Sequence, residues 1–77
     1  MKSNLSLLKP GESGIVKSVA HGSLHAKLVE MGVYKGKKIK VLFRAPFGDP
    51  IAVDVEGYIL SLRMDEACIV SLEPSAA

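Results

Sequence analysis

Alternation of apolar and polar residues predicts short β-strands along most of the chain. In residues 38–44, Ile39, Val41 and Phe43 alternate with polar neighbours, which is the period-two pattern of a half-buried strand. Similar apolar runs predict strands at residues 14–19, 51–55, 58–62 and 68–72. Phe43 and Tyr58 lie on the apolar faces of their strands and are predicted core residues. Five short strands separated by turns favour an all-β fold, a small closed β-barrel.

One short α-helix is predicted, over residues 23–31. Leu24, Leu28 and Met31 lie at positions i, i+4 and i+7, so they form one apolar stripe. Ser23 is the expected N-cap, because its hydroxyl can accept a bond from a free backbone N–H of the first turn. Gly32 follows the last turn, where a left-handed residue commonly ends a helix.

Glycine and proline divide the chain into these elements. Glu56 and Gly57 form a predicted two-residue hairpin turn, since tight hairpins need residues with positive φ. Residues 45–50 hold two prolines and a glycine, which excludes a regular strand there. Residues 63–67 are predicted to form a single helical turn. Residues 73–77 are predicted to be a frayed tail.

Length and composition indicate one small globular domain over residues 1–77. The chain is 48% apolar, which argues against intrinsic disorder. Its 10 basic and 8 acidic residues give a net charge of +2, which excludes a histone-like polycation. No apolar run approaches the roughly 20 residues of a membrane-spanning helix, and the N-terminal residues lack a signal-peptide pattern. We therefore expect a cytoplasmic protein.

The sequence lacks the motifs of an enzyme. Cys68 is the one cysteine, which excludes an internal disulfide and a cysteine-rich zinc site. It follows an alanine and precedes Ile69 and Val70, so it is predicted to be a buried small residue rather than a nucleophile. The acids form no obvious acid–base pair, and no glycine-rich phosphate loop is present. We expect a non-enzymatic protein with no required cofactor.

His21 and His25 are the candidate metal ligands. They are four residues apart, but Gly22 and Ser23 lie between them, so His21 is expected to precede the helix. A pair of histidines also lacks a third ligand at local spacing. Glu30 or Asp49 could complete a site only through the fold. Solvated or structural histidines are the favoured interpretation, and binding of Fe²⁺ or another divalent metal is the alternative.

The charge distribution offers a candidate nucleic-acid surface. Residues 31–48 contain no acid, but they contain five basic residues: Lys35, Lys37, Lys38, Lys40 and Arg44. With Tyr34 and Phe47 nearby, phosphate contacts and base stacking are conceivable. The favoured interpretation is a solvated strand face whose charges deter edge pairing. Nucleic acid is therefore not the expected partner.

A protein partner is expected on two segments. The first follows the helix and supplies Tyr34, Lys35, Lys37 and Lys38; the second is the 45–50 loop, with Phe47 and Asp49. Loops on a rigid scaffold often carry binding groups. Phe47 has two interpretations: its ring either projects as a binding anchor or plugs one end of the barrel.

The order of several short motifs resembles the FeoA family of small cytosolic ferrous-iron transport proteins. The features are the helix end Leu-Val-Glu-Met-Gly-Val at residues 28–33, Gly36, the basic strand, Ala-Pro-Phe-Gly-Asp-Pro at residues 45–50, the Gly57 hairpin, Leu62-Arg63 and Glu66-Ala67. Nearly the whole chain is covered. The sequence departs from the family pattern at Lys35, where proline is common, and at Met31, where leucine is.

The resemblance implies a fold and a partner. The implied fold is an SH3-like barrel, related to the C-terminal module of DtxR-type metal-dependent repressors. The implied partner is the FeoB-type ferrous iron transporter, with the chain held peripherally at the inner membrane through that partner. The implied function is that of an accessory protein of iron uptake. A nucleic-acid-binding barrel and a transition-metal-sensing module are the alternatives.

Overall fold

A computed structural model describes residues 4–74 of the chain. After a 3₁₀ turn at Leu5–Leu7, the elements in chain order are β1 (Ser13–Val19), α1 (His25–Glu30), β2 (Lys38–Arg44), β3 (Ile51–Val55), β4 (Tyr58–Leu62), α2 (Met64–Ala67) and β5 (Val70–Pro74). The strands form one antiparallel sheet in the order β4-β3-β2-β1-β5. This confirms the predicted all-β class with five strands. Neither α-helix of the described part is long or apolar enough to cross a membrane.

The hydrophobic core lies on the inner face of the sheet, with α1 and the N-terminal segment packed against it. Leu28 is the one residue of α1 that is fully buried, so the predicted helix face is correct. The largest fully buried side chains come from the N-terminal turn, α1, the segment after α1 and all five strands. They are Leu5, Leu28, Ile39, Ile51, Leu62, Val16, Val33, Val41, Val53 and Val70. Burial of these side chains is the main stabilising contribution in a domain of this size.

The helix α1 begins later than the sequence predicted. Its N-cap is Leu24, whose side chain makes no capping bond, and Ser23 is exposed in the preceding turn. The backbone N–H of His25 donates to the Gly22 carbonyl at 3.2 Å, so a tight turn occupies the place of the predicted first helical turn. The predicted end is correct, because Gly32 has φ +95° directly after the C-cap.

Phe43 and Tyr58 are not core residues, contrary to the sequence prediction. In β2 the register shifts between Val41 and Phe43, so one extra residue reverses the alternation and leaves Phe43 61% exposed. Tyr58 is the first residue of the edge strand β4. It lies beyond the part of β4 that packs against the core, and its side chain is 75% exposed. Both aromatic rings are therefore available at the surface.

Cys68 was wrongly predicted to be a buried strand residue. It is the C-cap of α2, is exposed, and donates its thiol to the Asp65 carbonyl at 3.2 Å. The predicted tail is also different at its start, since Glu73 and Pro74 pair with β1 as the last residues of β5. The rest of that predicted tail, residues 75–77, lies outside the described residues.

A buried carboxylate joins the two helices. Glu66 is 3% exposed, and its Oε2 accepts from Lys27 Nζ at 2.5 Å. Its Oε1 accepts from the backbone N–H of Arg63 at 2.8 Å, which caps α2. The bond from Lys27, followed by that from Arg63, holds the pKa of Glu66 below its ordinary value, although burial acts in the opposite direction. Lys27 thus links α1 to α2.

Acid is expected to destabilise the fold partly through Glu66. A carboxyl whose pKa is lowered by folding contributes stability above its ordinary value of 4.5, and loses that contribution as pH falls through the lower value. Lys27→Met should cost about 1 kcal/mol near neutral pH, since the 57% exposure of the Lys27 side chain weakens the pair by screening. Urea unfolding between pH 7 and pH 3 should show a shallower acid dependence in this variant. An identical dependence in both proteins would contradict the assignment.

Candidate functional site

A groove lies between the end of α1 and the turn that joins β3 to β4. Its volume is about 350 Å³. We call it the hairpin groove, and it is lined by Glu30, Met31, Gly32, Tyr34, Lys37, Val55, Glu56, Tyr58 and Leu60. Met31 and Leu60 are half-buried against the core, whereas Tyr34 and Tyr58 are 42% and 75% exposed. The hairpin groove thus combines partly buried aliphatic side chains with two exposed aromatic rings.

The segment after α1 is held in place by its backbone. Val33 is fully buried, and its N–H donates to the Leu28 carbonyl at 2.9 Å. The N–H of Gly36 donates to the Val16 carbonyl, and the N–H of Val16 donates to the Lys37 carbonyl, both at 2.8 Å. Tyr34 therefore lies on a short segment that is fixed at both ends.

The opposite wall of the hairpin groove is formed at the β3–β4 turn. Glu56 and Gly57 have φ values of +50° and +104°, as the predicted two-residue hairpin turn requires. Asp54 Oδ1 accepts from the backbone N–H of Gly57 at 2.8 Å and supports the turn. Tyr58 follows immediately and pairs with Val55 across the hairpin. A tight turn thus places Tyr58 at the hairpin groove.

One ion pair and one cation–π contact connect the two walls. Lys37 Nζ lies 3.4 Å from Glu56 Oε1 and 5.0 Å from the centre of the Tyr34 ring. The backbone N–H of Lys38 donates to Glu56 Oε2 at 3.0 Å. Interactions with Tyr34 and then Glu56 raise the pKa of Lys37, and the Lys38 N–H, followed by Lys37, lowers the pKa of Glu56. Both side chains are therefore charged at neutral pH.

The structure separates the two segments that were predicted to bind a partner. Tyr34 and Lys37 line the hairpin groove, and Lys38 begins β2 at the same end of the sheet. Lys35 is exposed in the turn before Gly36. The 45–50 loop follows the other end of β2, and a strand of this length spans roughly 20 Å. The two segments do not form one surface.

In the 45–50 loop, the two predicted site residues have different roles. The ring of Phe47 is 99% exposed, so it does not plug the barrel. Asp49 Oδ1 accepts from the backbone N–H of Met64 at 3.1 Å, which supports the start of α2. Of these two residues, Phe47 is the one whose side chain is open to a partner.

Phe47→Ala is expected to change the free energy of unfolding by less than about 0.5 kcal/mol, the usual range for an exposed site. The reason is that the ring has almost no contact to lose. Equilibrium unfolding in urea measures this value. A loss of about 3–5 kcal/mol, which is typical of a buried phenylalanine, would show that the ring packs inside the fold.

The basic residues of the candidate nucleic-acid surface are partly engaged within the protein. Arg44 donates to the carbonyls of Ser6 and Leu8 at 2.7 and 2.6 Å, and so holds the N-terminal segment. Lys37 is paired with Glu56, and Lys40 lies opposite Asp54 in the β2–β3 register. This arrangement favours the structural interpretation of the basic segment.

The two histidines lie together at the start of α1. His25 is the first residue of the helix and His21 precedes it, with ring centres 5.0 Å apart and ring planes 27° from parallel. Glu30 lines the hairpin groove and Asp49 supports α2. Within residues 4–74, no group of three or more His, Cys, Asp and Glu side chains is placed to hold a metal.

Of the residues that line the hairpin groove, the sequence predicted only Tyr34 and Lys37 as binding residues. It assigned Tyr58 to the core, and it gave no binding role to Met31, Glu56 or Leu60. The available signal that Tyr58 is exposed was its position directly after a two-residue turn, because the end of an edge strand often extends beyond the core. Proximity between this turn and the end of α1 depends on the fold and was not visible in the sequence.

Comparison with known proteins identifies the family. The FeoA domain model matches residues 3–74. This chain belongs to the FeoA family. Proteins of this family take part in ferrous iron transport as accessory proteins, and the family is not a known enzyme family.

One similar protein combines two transport components. The chain is 33% identical over 70 residues to an Fe(2+) transport protein A/Fe(2+) transporter FeoB fusion protein of Porphyromonas gingivalis. This match covers 90% of the present FeoA-family chain but only 8% of the fusion protein. The chain thus corresponds to a small part of that relative.

Solved structures share the fold. A FeoA-like protein from Clostridium acetobutylicum is 31% identical with a TM-score of 0.89, covering 100% of this chain and 93% of that one. Stenotrophomonas maltophilia FeoA complexed with zinc, described as an SH3 domain protein, is 30% identical with a TM-score of 0.80, covering 94% and 91%. This confirms the SH3-like fold. A manganese-dependent transcriptional repressor shares the fold alone, at 18% identity and a TM-score of 0.84 over 94% of this chain and 41% of that one.

Proposed function

We propose that this FeoA-family chain is a non-enzymatic accessory protein that docks on the cytosolic side of a FeoB-type ferrous iron transporter. The observation that carries the proposal is the Porphyromonas gingivalis protein, whose name joins Fe(2+) transport protein A and the transporter FeoB in one chain. Covalent fusion keeps two domains at high effective concentration. The separate chain would achieve the same association through a docking surface.

The hairpin groove is the proposed docking surface. Exposed aromatic rings beside half-buried aliphatic side chains are typical of interface hot spots, because they bury a large apolar area at low entropic cost. Tyr34 and Tyr58 provide the rings, and Met31 and Leu60 the aliphatic surface between them. SH3-like barrels commonly bind extended segments of a partner in grooves of this kind. An apolar segment of the transporter's cytosolic part is the proposed occupant.

Charges at the hairpin groove can orient such a segment. Lys37 and Glu56 already neutralise each other, so an apolar segment could cover them without leaving a single buried charge. Glu30 adds an exposed carboxylate at the end of α1, which would attract a basic residue of the partner. The proposed location at the inner membrane follows from the transporter, since this chain would be held there through its partner.

Co-purification tests the proposed function. The tagged chain is expressed with the FeoB-type transporter of its own source organism, and the membranes are solubilised in mild detergent. We expect the transporter to elute with the tagged chain and to remain bound at 0.5 M salt, since an apolar interface resists salt. Absence of the transporter from the eluate, with the tagged chain folded by circular dichroism, would contradict the proposal.

A further inference from the structure

The two edges of the sheet differ in how well they are protected. β5 forms one edge, and Asn4 covers it, since Asn4 bridges Ser71 on the side away from β1. The side-chain amide of Asn4 also donates to the Cys68 carbonyl at 2.6 Å. β5 ends in Glu73 and Pro74, and a charge or a proline on an edge strand deters pairing with another chain. The β5 edge is therefore closed to a further strand.

The β4 edge has no such protection. Within residues 4–74, β4 pairs with β3 alone, and no backbone hydrogen bond from a turn or loop reaches residues 58–62. The strand sequence, Tyr-Ile-Leu-Ser-Leu, contains no charge, proline or glycine. Tyr58 and Ile59 are 75% and 71% exposed. An uncharged, apolar and exposed edge strand is a template for another strand.

The register of the hairpin identifies which backbone groups of β4 face outward. Val55 and Tyr58 flank the two-residue turn and pair directly, and the pair in that position exchanges backbone hydrogen bonds. Hydrogen-bonded pairs alternate along an antiparallel ladder, so Leu60 also bonds to β3. Ile59 and Ser61, which alternate with it, therefore direct their N–H and C=O groups away from β3.

We propose that β4 pairs with β4 of a second copy of this chain, antiparallel and about a twofold axis at Leu60. This register places Ile59 opposite Ser61 of the second copy, and Ser61 opposite its Ile59. The outward N–H and C=O groups of these residues then form four backbone hydrogen bonds across the axis. The two Ile59 side chains become diagonal neighbours on one face of the joined sheet, within contact distance.

The charges that flank β4 favour the antiparallel arrangement. Glu56 lies in the turn before the strand, and Arg63 follows its last residue. Both side chains are exposed. Antiparallel pairing brings Arg63 of each copy close to Glu56 of the other at both ends of the interface. Parallel pairing would instead place like charges together, which is unfavourable.

The same geometry limits the assembly to a dimer. A twofold interface uses β4 of both copies, and the protected β5 edge cannot add a third copy. A strand of five residues is only roughly 17 Å long, so the interface is small and the dimer exchanges with monomer. Because the pairing uses only the edge of β4, the proposal does not depend on docking to a transporter.

Sedimentation equilibrium and amide hydrogen exchange of the full chain test the pairing together. The average mass should rise from 8.2 kDa towards twice that value as the concentration approaches about 1 mM. Over the same range, exchange of the Ile59 and Ser61 amides should become slower. The Leu60 amide should be slow at every concentration, because it is bonded to β3. This alternation distinguishes strand pairing from contact through side chains alone.

Ser61→Pro is the diagnostic variant, because it removes an N–H that faces away from β3, and proline is tolerated at such a position of an edge strand. Two hydrogen bonds are lost in each dimer, so self-association should weaken at least about tenfold. Phe47→Ala is the matched control, since that ring is 99% exposed on a loop away from β4, and its removal should leave the dimer unchanged. The amide spectrum first shows that each variant is folded.

Three results would overturn the proposal. The first is a mass that stays at 8.2 kDa up to about 1 mM. The second is a dimer that forms without slower exchange at Ile59 and Ser61, or that Ser61→Pro leaves intact. The third is protection of these two amides only when a transporter is added, which would show that the β4 edge takes a strand of another protein.

Discussion

Leu28→Ala is expected to lower the free energy of unfolding by about 2–5 kcal/mol, the range for large-to-small changes in a core. Leu28 is 0% exposed and is the one residue of α1 that is fully buried. Its carbonyl also accepts from the Val33 N–H, which closes the end of the helix. Because small domains are stable by only about 5–15 kcal/mol, this is a large fraction of the total.

Val29→Ala is the matched control for this prediction. Val29 lies next to Leu28 on α1 and is 39% exposed, and alanine is the better helix former. Its replacement should change stability by about 0.5 kcal/mol or less. Urea unfolding of both variants gives the comparison. Similar losses in the two variants, or a loss below about 0.5 kcal/mol for Leu28→Ala, would mean that α1 does not pack as described.

Tyr58→Ala is expected to weaken binding to a FeoB-type transporter by about 2 kcal/mol, or roughly 30-fold in affinity. The ring is 75% exposed in the free protein, so its burial in a complex would contribute to binding while its removal would cost the fold little. Stability should therefore stay within about 0.5 kcal/mol of the wild type. The prediction is checked by immobilising each variant on a sensor surface and titrating it with the detergent-solubilised transporter, which gives the affinity.

Ile59→Ala provides the control on the same strand. Ile59 is 71% exposed, almost as much as Tyr58, but successive side chains of a strand point to opposite faces. Ile59 does not line the hairpin groove, so its replacement should leave affinity within about twofold of the wild type. Equal effects of the two substitutions would show that binding follows exposed apolar area on β4 in general and not the hairpin groove.

Local sequence patterns predicted most of the fold because they reflect local physics. The alternation in residues 38–44 and the Glu56-Gly57 turn determine a strand and a hairpin within a few residues. Leu28 could be assigned to the core from helical spacing alone. The N-cap was wrongly assigned to Ser23, because a local pattern locates the end of a helix only to within one or two residues.

The errors arose where the outcome depends on neighbouring strands. Phe43 is exposed because β2 contains an irregularity opposite β3, and a one-residue shift reverses every later side chain. Tyr58 is exposed because β4 lies at the edge of the sheet. Cys68 lies outside β5 because it is the C-cap of α2, and the strand begins only at Val70. A short window of sequence does not encode any of these three arrangements.

The candidate site was predictable only in part, for the same reason. Tyr34 and Lys37 were found because an aromatic residue and a lysine after a helix are suited to binding. Their contact with the β3–β4 turn, and their separation from Phe47, depend on strand order and length. The stacking of His21 on His25 likewise required the turn at Gly22, which brings the two rings together before the helix begins.

The measurement that most directly tests the proposed docking function is a backbone amide map of the ¹⁵N-labelled chain bound to its FeoB-type transporter in lipid nanodiscs. Binding should reduce signal intensity first at the hairpin groove, at Tyr34, Lys37, Glu56 and Tyr58, and the effect should disappear when unlabelled chain competes. Signal loss confined to the loop around Phe47, or an unchanged spectrum at saturating transporter, would contradict the account.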